Sequence, residues 1–315
     1  RLTMLSVIVP AYNEEQTAVW TAEKLGKILS EAEIPYELIF VDDGSKDHTW
    51  QAIGLAHSLD EHVRGLRFSR NFGKEAAIFA GLAAAEGDCC AVIDCDLQHP
   101  PEKLVEMYAL WQEGYEVVNG VKEDRGHESV AHSLAVKCFY KLMSRAAKID
   151  MSRSSDFKLM DRRVVDVLLA LPERKTFFRA LVGWVGFRTI DVPFSVRERA
   201  AGESHFSATA LFRYALANIS AFSSAPMQIV TVCGGLFLLL ALVMSVQTLV
   251  NWASGGAADG FTTVIILLLF IGSIIMISLG IIGYYIAQIY IESKDRPRYL
   301  VSQTIKEAKN DDPDA

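Results

Sequence analysis

The sequence predicts an α/β protein whose doubly wound, mostly parallel sheet is followed by an amphipathic interfacial helix and two transmembrane helices. Three observations support this fold class. Short β-branched runs alternate with helical patterns through roughly the first 120 residues, which is typical of a parallel sheet covered by helices on both faces. A stretch with one apolar helical face follows, and two long runs without any charged residue come after it.

Strands and helices are predicted in alternation along the first 121 residues. The strands cover residues 5–10, 37–43, 63–69, 89–96 and 115–121, each a run rich in β-branched or other apolar side chains. The helices cover residues 14–32, 47–60, 74–86 and 101–113, and Pro100 and Pro101 favour a helix start for the last of them. Residues 188–199 form a further strand-like stretch.

Polar side chains gather where four of the predicted strands end. They are Tyr12, Asn13 and Glu14 after the first strand, Asp42 and Asp43 at the second, Ser69, Arg70 and Asn71 at the third, and Asp94 and Asp96 at the fourth. Ligands of doubly wound sheets bind at the carboxyl ends of the strands. Turn formation is the alternative, and it explains Gly44 and Ser45 better than it explains paired carboxylates. The sequence therefore predicts a ligand site at this edge.

Two uncharged runs, residues 229–250 and 261–291, are each long enough to cross a hydrocarbon core about 30 Å thick as a helix. The alternative is a pair of buried core helices, but a helix that is apolar on all sides is hard to cover in a small domain. The loop between the runs has no Lys or Arg, whereas Lys294, Arg296 and Arg298 follow the second run. The loop is therefore predicted outside the cytoplasm, and both termini inside it.

These patterns divide the chain into six segments. They are a cytosolic α/β domain (1–200), interfacial amphipathic helices (201–225), a first transmembrane helix (226–250), an extracytoplasmic loop (251–260), a second transmembrane helix (261–291) and a cytosolic tail (292–315). The apolar run near the start ends in Pro10 rather than at a cleavage site, so no signal peptide is expected.

Composition excludes some classes of function. A formal net charge of -7 and the lack of a basic stripe argue against nucleic-acid binding. Five cysteines, odd in number and without CxxC spacing, fit a reduced compartment. The spacing of Cys90, Cys95 and His99 matches no zinc pattern, so buried structural thiols are favoured over the alternative of a zinc site.

The usual phosphate-binding motifs are missing from the predicted strand ends. Residues 71–77 contain Gly-Lys without the spaced glycine before it or the Ser/Thr after it, and no G-x-G-x-x-G follows a strand. Asp94 and Asp96 are expected to leave their strand on alternate residues and to share one divalent cation. Its remaining positions would stay free for phosphate oxygens, which suits Mg²⁺ or Mn²⁺. Asp-x-Asp alone is a weak signal, and its place at a strand end strengthens it.

Seven motifs in order resemble one family. They are VPAYNEE (9–15), VDDGSKDHT (41–49), SRNFGKEAA (69–77), DCDLQHPPE (94–102), SDFKLMDRRVV (155–165), RERAAGESHFS (197–207) and RPRYLV (296–301). From Leu5 to Val301 the chain resembles the polyprenyl-phosphate glycosyltransferases of glycosyltransferase family 2, of the dolichol-phosphate mannosyltransferase and bactoprenol glucosyltransferase type. The resemblance implies a GT-A fold in an enzyme of the cell inner (cytoplasmic) membrane.

The resemblance also implies a reaction. A hexose is expected to move from a nucleotide-sugar, UDP-glucose or similar with GDP-mannose as an alternative, to a polyprenyl phosphate such as undecaprenyl phosphate. Attack opposite the leaving group would invert the anomeric centre. The acceptor phosphate has a second pKa of about 6 and is already largely ionised at neutral pH, so a strong general base is unnecessary.

Individual residues receive roles from the same resemblance. The nucleotide-sugar is expected to contact Pro10, Tyr12, Glu14, Asp42, Lys74 and Asp94, and the Mg²⁺ or Mn²⁺ cofactor to contact Asp94, Asp96 and Gln98. The lipid phosphate is expected to contact Lys122, Arg125, Arg197 and Arg199, although a solvated surface is the commoner place for Lys and Arg. Asp96, Asp156 and Arg199 are the expected catalytic residues.

Asp156 stands where the family has a Gly-Asp-Phe-type motif, and its role stays open. It is expected either to act as a general base or to orient the acceptor or the sugar. Outside catalysis, the alternative is a helix cap ahead of FKLMDRRVV. Two departures affect lipid or partner contacts: His205 replaces a Lys of the family, and GYYIAQ (283–288) replaces Gly-Glu-Tyr-Ile-Gly-Arg.

Other classes of function fit the sequence less well. A processive polysaccharide synthase would carry a Gln-x-x-Arg-Trp motif and more spans, and a scaffold without activity would not need Asp94, Asp96 and Gln98. A small transporter would need ionisable groups within its spans. Small residues in the second span favour helix packing within the chain or a homo-oligomer; they are Gly272, Ser273, Gly280 and Gly283. The sequence does not identify the sugar.

Overall fold

The protein is described here as a computed structural model covering residues 3–122, 154–172, 177–195 and 260–306, with isolated helical positions between 234 and 254. The strands in this part of the chain are β1 (Leu5–Ala11), β2 (Tyr36–Asp42), β3 (Val63–Phe68), β4 (Cys89–Val92), β5 (Val117–Lys122), β6 (Ser154–Asp161), β7 (Thr189–Phe194) and β8 (Val301–Ile305). The helices are α1 (Ala18–Glu31), α2 (Thr49–Leu59), α3 (Lys74–Ala84), α4 (Lys103–Gln112), α5 (Arg162–Ala170), α6 (Phe178–Trp184) and α7 (Phe261–Ser293).

All of these strands belong to one sheet in the order β7-β5-β6-β4-β1-β2-β3-β8. The first four strands of the chain are parallel. The chain winds outward from β1 through β2 to β3 and then returns to place β4 on the other side of β1. This reversal makes β1 and β4 the switch point of the sheet, where doubly wound proteins bind ligands. The predicted doubly wound, mostly parallel sheet is confirmed.

The central strands are buried on both faces, because helices cover the sheet from each side. Every residue of β4 is buried, as is nearly every residue of β1 and β2. Such strands are apolar runs without alternation, which is why the sequence pattern predicted them so clearly. α1 buries Ala18, Ala22, Leu25 and Leu29 at helical spacing in the main core, which also contains Phe40.

Two antiparallel strands were not predicted from the sequence. β6 lies between β4 and β5 and is antiparallel to both, and β8 pairs antiparallel with β3. Asp156 lies within β6, so the helix-cap alternative for this residue is wrong. The residue that caps α5 is Asp161, whose carboxylate accepts the Arg163 N–H at 2.9 Å. The stretch was ambiguous because β6 passes directly into α5 without turn residues between them.

The fourth strand is shorter than predicted. β4 ends at Val92, so the prediction that Asp94 and Asp96 leave a strand on alternate residues is wrong. The chain turns there because the Leu97 N–H donates to the Asp94 carbonyl at 3.2 Å. Leu97 has a φ of 48°, a left-handed conformation that is costly for leucine and is concentrated at functional sites.

α7 has the composition of a membrane-spanning helix. Within the described residues, one helical stretch, Phe270–Ser293, is long and apolar enough to cross a membrane, with a mean hydropathy of 2.0. The first predicted span (226–250) and the interfacial helices (201–225) lie wholly or largely outside the described residues, so both stay predictions. The chain divides into two compact units, residues 1–207 with 297–315 and residues 208–296.

Candidate active site

Three loops follow β1, β2 and β3 at the carboxyl edge of the sheet, and we call residues 12–16, 43–48 and 69–73 the loop edge. Hydrogen bonds tie its first two loops together. The Asn13 N–H donates to Ser45 Oγ at 3.0 Å, and Asn13 Oδ1 accepts the Lys46 N–H at 3.0 Å. Asn13 has a φ of 56°, a left-handed conformation that Asn adopts more readily than most residues. The two loops therefore support each other.

Asp43 fastens the third loop to the second. Its carboxylate accepts the N–H groups of Phe72 at 2.7 Å and of Gly73 at 2.9 Å. Burial raises the pKa of Asp43 above its usual value, against the opposing effect of these two donors. Gly44 has a φ of +67°, and a Cβ there would lie 2.4 Å from the carbonyl carbon of Arg70, so this close approach requires glycine.

The residues predicted from the end of β1 lie at the loop edge. Pro10 is partly buried, and Tyr12 is 43% exposed, so the Tyr12 ring is open to a ligand. Glu14 holds the neighbouring helices in place, because its N–H donates to Thr49 Oγ1 at 2.7 Å and its carboxylate accepts the Thr17 hydroxyl. Tyr12 therefore offers an exposed aromatic surface at this edge.

Asp42, predicted from the end of β2, is fully buried. Its Oδ1 accepts the Ser45 N–H at 2.8 Å, and its Oδ2 lies 3.3 Å from Nε of Arg67 on β3. A buried carboxylate is costly unless a cation compensates it, and Arg67 supplies that charge. The structure brings Asp42 to the predicted edge, in a buried supporting position.

Lys74, Asp94, Asp156 and Arg179 form a group of opposite charges that we call the ion cluster. Lys74 Nζ, at the start of α3, lies 2.6 Å from Asp94 Oδ1 and 2.7 Å from Asp156 Oδ2. Burial would lower the pKa of Lys74, but the charges of the two carboxylates outweigh it and hold the pKa above its usual value. Lys74 therefore stays charged and joins the turn after β4 to β6.

Arg179 of α6 forms a bidentate pair with Asp156. Arg179 Nε donates to Oδ1 at 2.6 Å, and Nη2 donates to Oδ2 at 2.8 Å. Burial would raise the pKa of Asp156, yet the hydrogen bonds from Arg179 and the charge of Lys74 hold it well below its usual value. A carboxylate with so low a pKa stays ionised and is a weak base. The geometry thus favours an orienting role for Asp156 over proton abstraction.

Asp96 and Gln98 lie in the turn after Asp94, where Asp96 Oδ1 accepts the Gln98 N–H at 3.1 Å. His99 packs beside this turn, with its Nδ1 3.9 Å from Asp94 Oδ2 and its ring stacked on Phe157. Among the described residues, no three His, Cys, Asp or Glu side chains are grouped to hold a metal ion by themselves. Carboxylate oxygens are donors that suit Mg²⁺ or Mn²⁺, and Asp94 Oδ1 in this arrangement faces Lys74 Nζ at 2.6 Å.

The zinc alternative at Cys90, Cys95 and His99 gains no support from the thiols. Cys90 Sγ accepts a hydrogen bond from Arg162 Nη2 at 3.4 Å, and Cys95 Sγ lies 3.7 Å from the Thr17 hydroxyl. Burial raises the pKa of both thiols to about 12. Zinc binds the thiolate, so these two groups have the properties of buried structural cysteines.

Comparison with known families gives this arrangement a context. Residues 6–169 match the family described as Glycosyl transferase family 2. The chain belongs to this family. Its sheet is accordingly a GT-A-like α/β fold, and the resemblance found in the sequence is confirmed.

Relatives of this glycosyltransferase match nearly its whole length. It is 37% identical over 305 residues to the uncharacterized glycosyltransferase YkcC of Bacillus subtilis, covering 95% of this chain and 93% of that protein. It is 36% identical over 304 residues to the bactoprenol glucosyl transferase of Shigella phage SfV, covering 94% and 97%. It is 34% identical over 304 residues to the prophage bactoprenol glucosyl transferase homolog of Escherichia coli, covering 96% and 99%.

Among solved structures, glucosyl-3-phosphoglycerate synthase from Mycobacterium tuberculosis is similar over 70% of this chain and 79% of its own, with 22% identity and a TM-score of 0.47. That enzyme has been crystallised with Mn²⁺, uridine diphosphate and glucosyl-3-phosphoglycerate. The identity is below the level at which ligands or residue roles transfer from one protein to another.

The residues predicted to contact a lipid phosphate are mostly outside the described part of the glycosyltransferase. Lys122 is described, and it ends β5 with an exposed side chain. Arg125, Arg197 and Arg199 lie outside the described residues. The roles of all four stay predictions.

Three charged residues at or near the ion cluster were not predicted from the sequence. Arg179 completes the ion cluster. Glu75 Oε2 accepts the Phe178 N–H at 2.8 Å, and burial raises the pKa of Glu75 to about 7. Lys158 Nζ donates to Asn119 Oδ1 at 2.6 Å, and burial lowers the pKa of Lys158 to about 8. The signal available was a lone charge within an apolar run, in FFRALVGW for Arg179 and in FKLM for Lys158.

Proposed function

We propose that this glycosyltransferase moves a hexose from a nucleotide-sugar to the phosphate of a polyprenyl phosphate, with undecaprenyl phosphate as the acceptor. The observation that carries the proposal is the likeness to bactoprenol glucosyl transferases over 94% and 96% of the chain. That likeness extends well beyond residues 6–169, the part that matches the family as a whole. It therefore includes the apolar region, which a transferase acting on soluble acceptors does not need.

The loop edge and the ion cluster suit the two ends of a nucleotide-sugar. The exposed Tyr12 ring offers a surface on which a base can stack. Pro10 and Glu14 lie beside it, and Asp42 supports the loop from within. Lys74 and Arg179 supply positive charge for the phosphates, in fixed positions that cost no reorganisation during the reaction.

Asp94, Asp96 and Gln98 are the residues that would hold Mg²⁺ or Mn²⁺ beside the diphosphate. When bound, such an ion neutralises the negative charge that builds on the departing nucleoside diphosphate. Lys74 already faces Asp94 at 2.6 Å, so its ammonium group lies close enough to act on the same phosphates. UDP-glucose or a similar sugar nucleotide is the donor we propose, with GDP-mannose as the alternative.

The acceptor phosphate is drawn to the site by positive charge and attacks without a strong base. Its second pKa of about 6 leaves it largely ionised at neutral pH. Asp156 holds Lys74 and Arg179 in place rather than removing a proton. A phosphate oxygen forms the new bond to the anomeric carbon while the bond to the diphosphate breaks on the opposite face, which inverts the centre. Lys122, Arg125, Arg197 and Arg199 are the cations proposed for the lipid phosphate.

The enzyme is proposed to act at the cytoplasmic membrane. The support is the apolar stretch Phe270–Ser293 and the predicted first span before it. In this arrangement the α/β domain and both termini face the cytoplasm. Small residues of α7 would pack between helices of the same chain or of a homo-oligomer; they are Gly272, Ser273, Gly280 and Gly283.

A direct assay tests the proposal. The purified chain is incubated with undecaprenyl phosphate, MnCl₂ or MgCl₂, and in turn UDP-glucose, UDP-galactose, UDP-N-acetylglucosamine and GDP-mannose. We expect one donor to give a lipid product whose mass exceeds that of the acceptor by one sugar residue. Nucleotide-sugar binding without any lipid product would contradict transfer and favour a binding scaffold.

Arg199→Ala separates the acceptor side from the donor side. We expect transfer to undecaprenyl phosphate to fall more than the slow hydrolysis of the donor, because Arg199 is proposed to contact the lipid phosphate. Equal losses of both activities would instead assign Arg199 to the diphosphate.

A further inference from the structure

The residues after α7 pack against the α/β domain, and we call residues 298–305 the C-terminal clasp. β8 pairs with β3 and covers that edge of the sheet. Just before β8, the Leu300 carbonyl accepts the Ser69 N–H at 3.0 Å, and the Tyr299 ring stacks on Phe68 at a centroid distance of 5.0 Å. The clasp therefore contacts both the end of β3 and the first residue of loop 69–73.

Arg298 fixes the clasp to two helices of the domain. Its Nη2 donates to the Leu171 carbonyl at 2.7 Å, at the C-terminal end of α5. Its guanidinium lies over the Phe79 ring of α3 at 4.8 Å. α3 begins at Lys74, directly after loop 69–73, and α5 follows the strand that carries Asp156. Arg298 thus links α3, whose first residue is Lys74 of the ion cluster, to the end of α5, the helix that follows β6.

Gln303 connects the clasp to the loop edge through Arg67. Arg67 Nη1 donates to Gln303 Oε1 at 3.2 Å, while Nε of the same side chain lies 3.3 Å from Asp42 Oδ2. This Asp42 oxygen is buried and has no hydrogen-bond partner among the described residues. The position of the Arg67 guanidinium therefore decides how well the buried charge of Asp42 is compensated.

We propose that the C-terminal clasp is a positioning element of the donor site. Through Arg298 and Gln303 it holds loop 69–73 and the Arg67–Asp42 pair in the geometry that receives a nucleoside diphosphate. This inference rests on the proposed function, because it takes the loop edge as the nucleotide side. Only residues 294–297 separate the clasp from α7, so the apolar helix and the donor side of the site are joined by four residues of chain.

A matched pair of arginine variants tests the clasp. Arg298→Gln removes the contacts with Leu171 and Phe79, whereas Arg296→Gln removes the same charge from an exposed side chain two residues earlier. By titration calorimetry with MnCl₂ present, we expect the Kd for UDP to rise about tenfold in Arg298→Gln, as for the loss of one charge-assisted hydrogen bond. Arg296→Gln should bind UDP as the wild type does.

Steady-state kinetics distinguish positioning from a loss of folded protein. In Arg298→Gln the KM for the nucleotide-sugar should rise in proportion to the Kd, while the KM for undecaprenyl phosphate stays unchanged. A chain that only unfolds more easily would show a lower kcat with both KM values unchanged, and that result would overturn the proposal.

Gln303 provides a second test on an exposed side chain whose replacement leaves the core intact. Gln303→Ala removes the acceptor for Arg67, and we expect the Kd for UDP to rise about threefold. Gln303→Glu keeps an oxygen acceptor and should restore the wild-type Kd. Thr304→Ala, at the next exposed position, is the control and should change nothing.

Hydrogen exchange examines the clasp without any ligand. In Arg298→Gln the amides of Ser69, Phe72 and Gly73 should exchange faster than in the wild type, while those of α1 should not change. Unchanged exchange at these three amides, together with equal UDP affinity in all variants, would overturn the proposal that the clasp positions the donor site. If the wild type bound neither UDP nor GDP, the proposed function would fail instead, and the exchange rates would still decide whether the clasp holds loop 69–73.

Discussion

The loop edge and the ion cluster meet in the chain at Gly73 and Lys74, and each fixes a buried carboxylate in its own way. Asp43 in the loop edge is held by two backbone N–H groups, and burial raises its pKa. Asp156 in the ion cluster is held by two cationic side chains, and its pKa lies below the usual value. The loop edge fixes the shape of the backbone, whereas the ion cluster fixes a pattern of charge. Two aspartates of the same site therefore have pKa values shifted in opposite directions.

The largest effect is expected at Asp96, which lies two residues after Asp94 of the ion cluster. Asp96→Asn should lower transfer by roughly 10³-fold or more, because a lost cation ligand forfeits several kcal/mol of charge stabilisation. Initial rates with the active donor and undecaprenyl phosphate measure this loss. Asp166→Asn, on an exposed part of α5, is the control and should retain activity. Wild-type turnover in Asp96→Asn would remove Asp96 from the cation site.

The charge pattern of the ion cluster is broken by Arg179→Leu. Asp156 would lose its bidentate partner, and we expect the free energy of unfolding to fall by about 3 kcal/mol. Arg163→Leu is the matched control, since Arg163 pairs with Glu116 on an exposed surface and should cost less than about 1 kcal/mol. Denaturant unfolding of the purified variants measures both. Similar losses in the two variants would show that the ion cluster is no stronger than a surface pair.

Glu75 sharpens the comparison because its pKa shift is opposite to that of Asp156. The folded protein binds the Glu75 proton more tightly than the unfolded chain does, with a pKa of about 7 against 4.5. The free energy of unfolding therefore falls as the pH rises from 4.5 through about 7. The total loss from this group is about 3 kcal/mol by about pH 8. Asp156 acts with the opposite sign, since its stabilisation is present above pH 3.8 and is lost only in more acid solution.

Glu75→Gln removes the ionisable proton and keeps an oxygen to accept the Phe178 N–H. The variant should unfold at a higher temperature than the wild type at pH 8, and the two curves should converge near pH 5. Thermal unfolding at several pH values gives the comparison. A difference that stayed constant with pH would mean that Glu75 does not titrate in this range.

The smallest effect is expected from the backbone of the loop edge. Gly44→Ala would place a Cβ against the Arg70 backbone at a positive φ, and we expect a loss of about 2 kcal/mol in the free energy of unfolding. Gly54→Ala in α2 is the control, because the nearest atom to its added Cβ is Ile305 Cδ1 at 3.9 Å. The control should be neutral or stabilising by up to about 1 kcal/mol. Equal effects would contradict the constraint at Gly44.

The sequence predicted the loop edge better than the ion cluster for a physical reason. Strands that are buried on both faces and followed by polar turns give local patterns, so the ends of β1, β2 and β3 could be placed from the sequence. The pairing of Asp156 with Arg179 joins residues 23 positions apart on different elements, and no period in the sequence encodes it. Such contacts depend on how the elements pack.

The strand boundaries show the same limit. β6 and β8 were missed because an antiparallel strand inserted between or beside others is chosen by long-range pairing rather than by its own composition. The end of β4 was placed too late because the apolar run continues through Ile93 while the backbone already turns toward Leu97. The metal-site residues predicted after that strand nevertheless lie in one turn.

β8 has a consequence for biosynthesis. The chain segment that completes the α/β sheet leaves the ribosome only after the whole of α7 has been synthesised. Until then β3 has an open edge of unpaired N–H and C=O groups, which attracts other strands. Completion of the α/β sheet is in this way ordered after translation of the hydrophobic helix, and a nascent chain truncated behind that helix would keep the edge of β3 open.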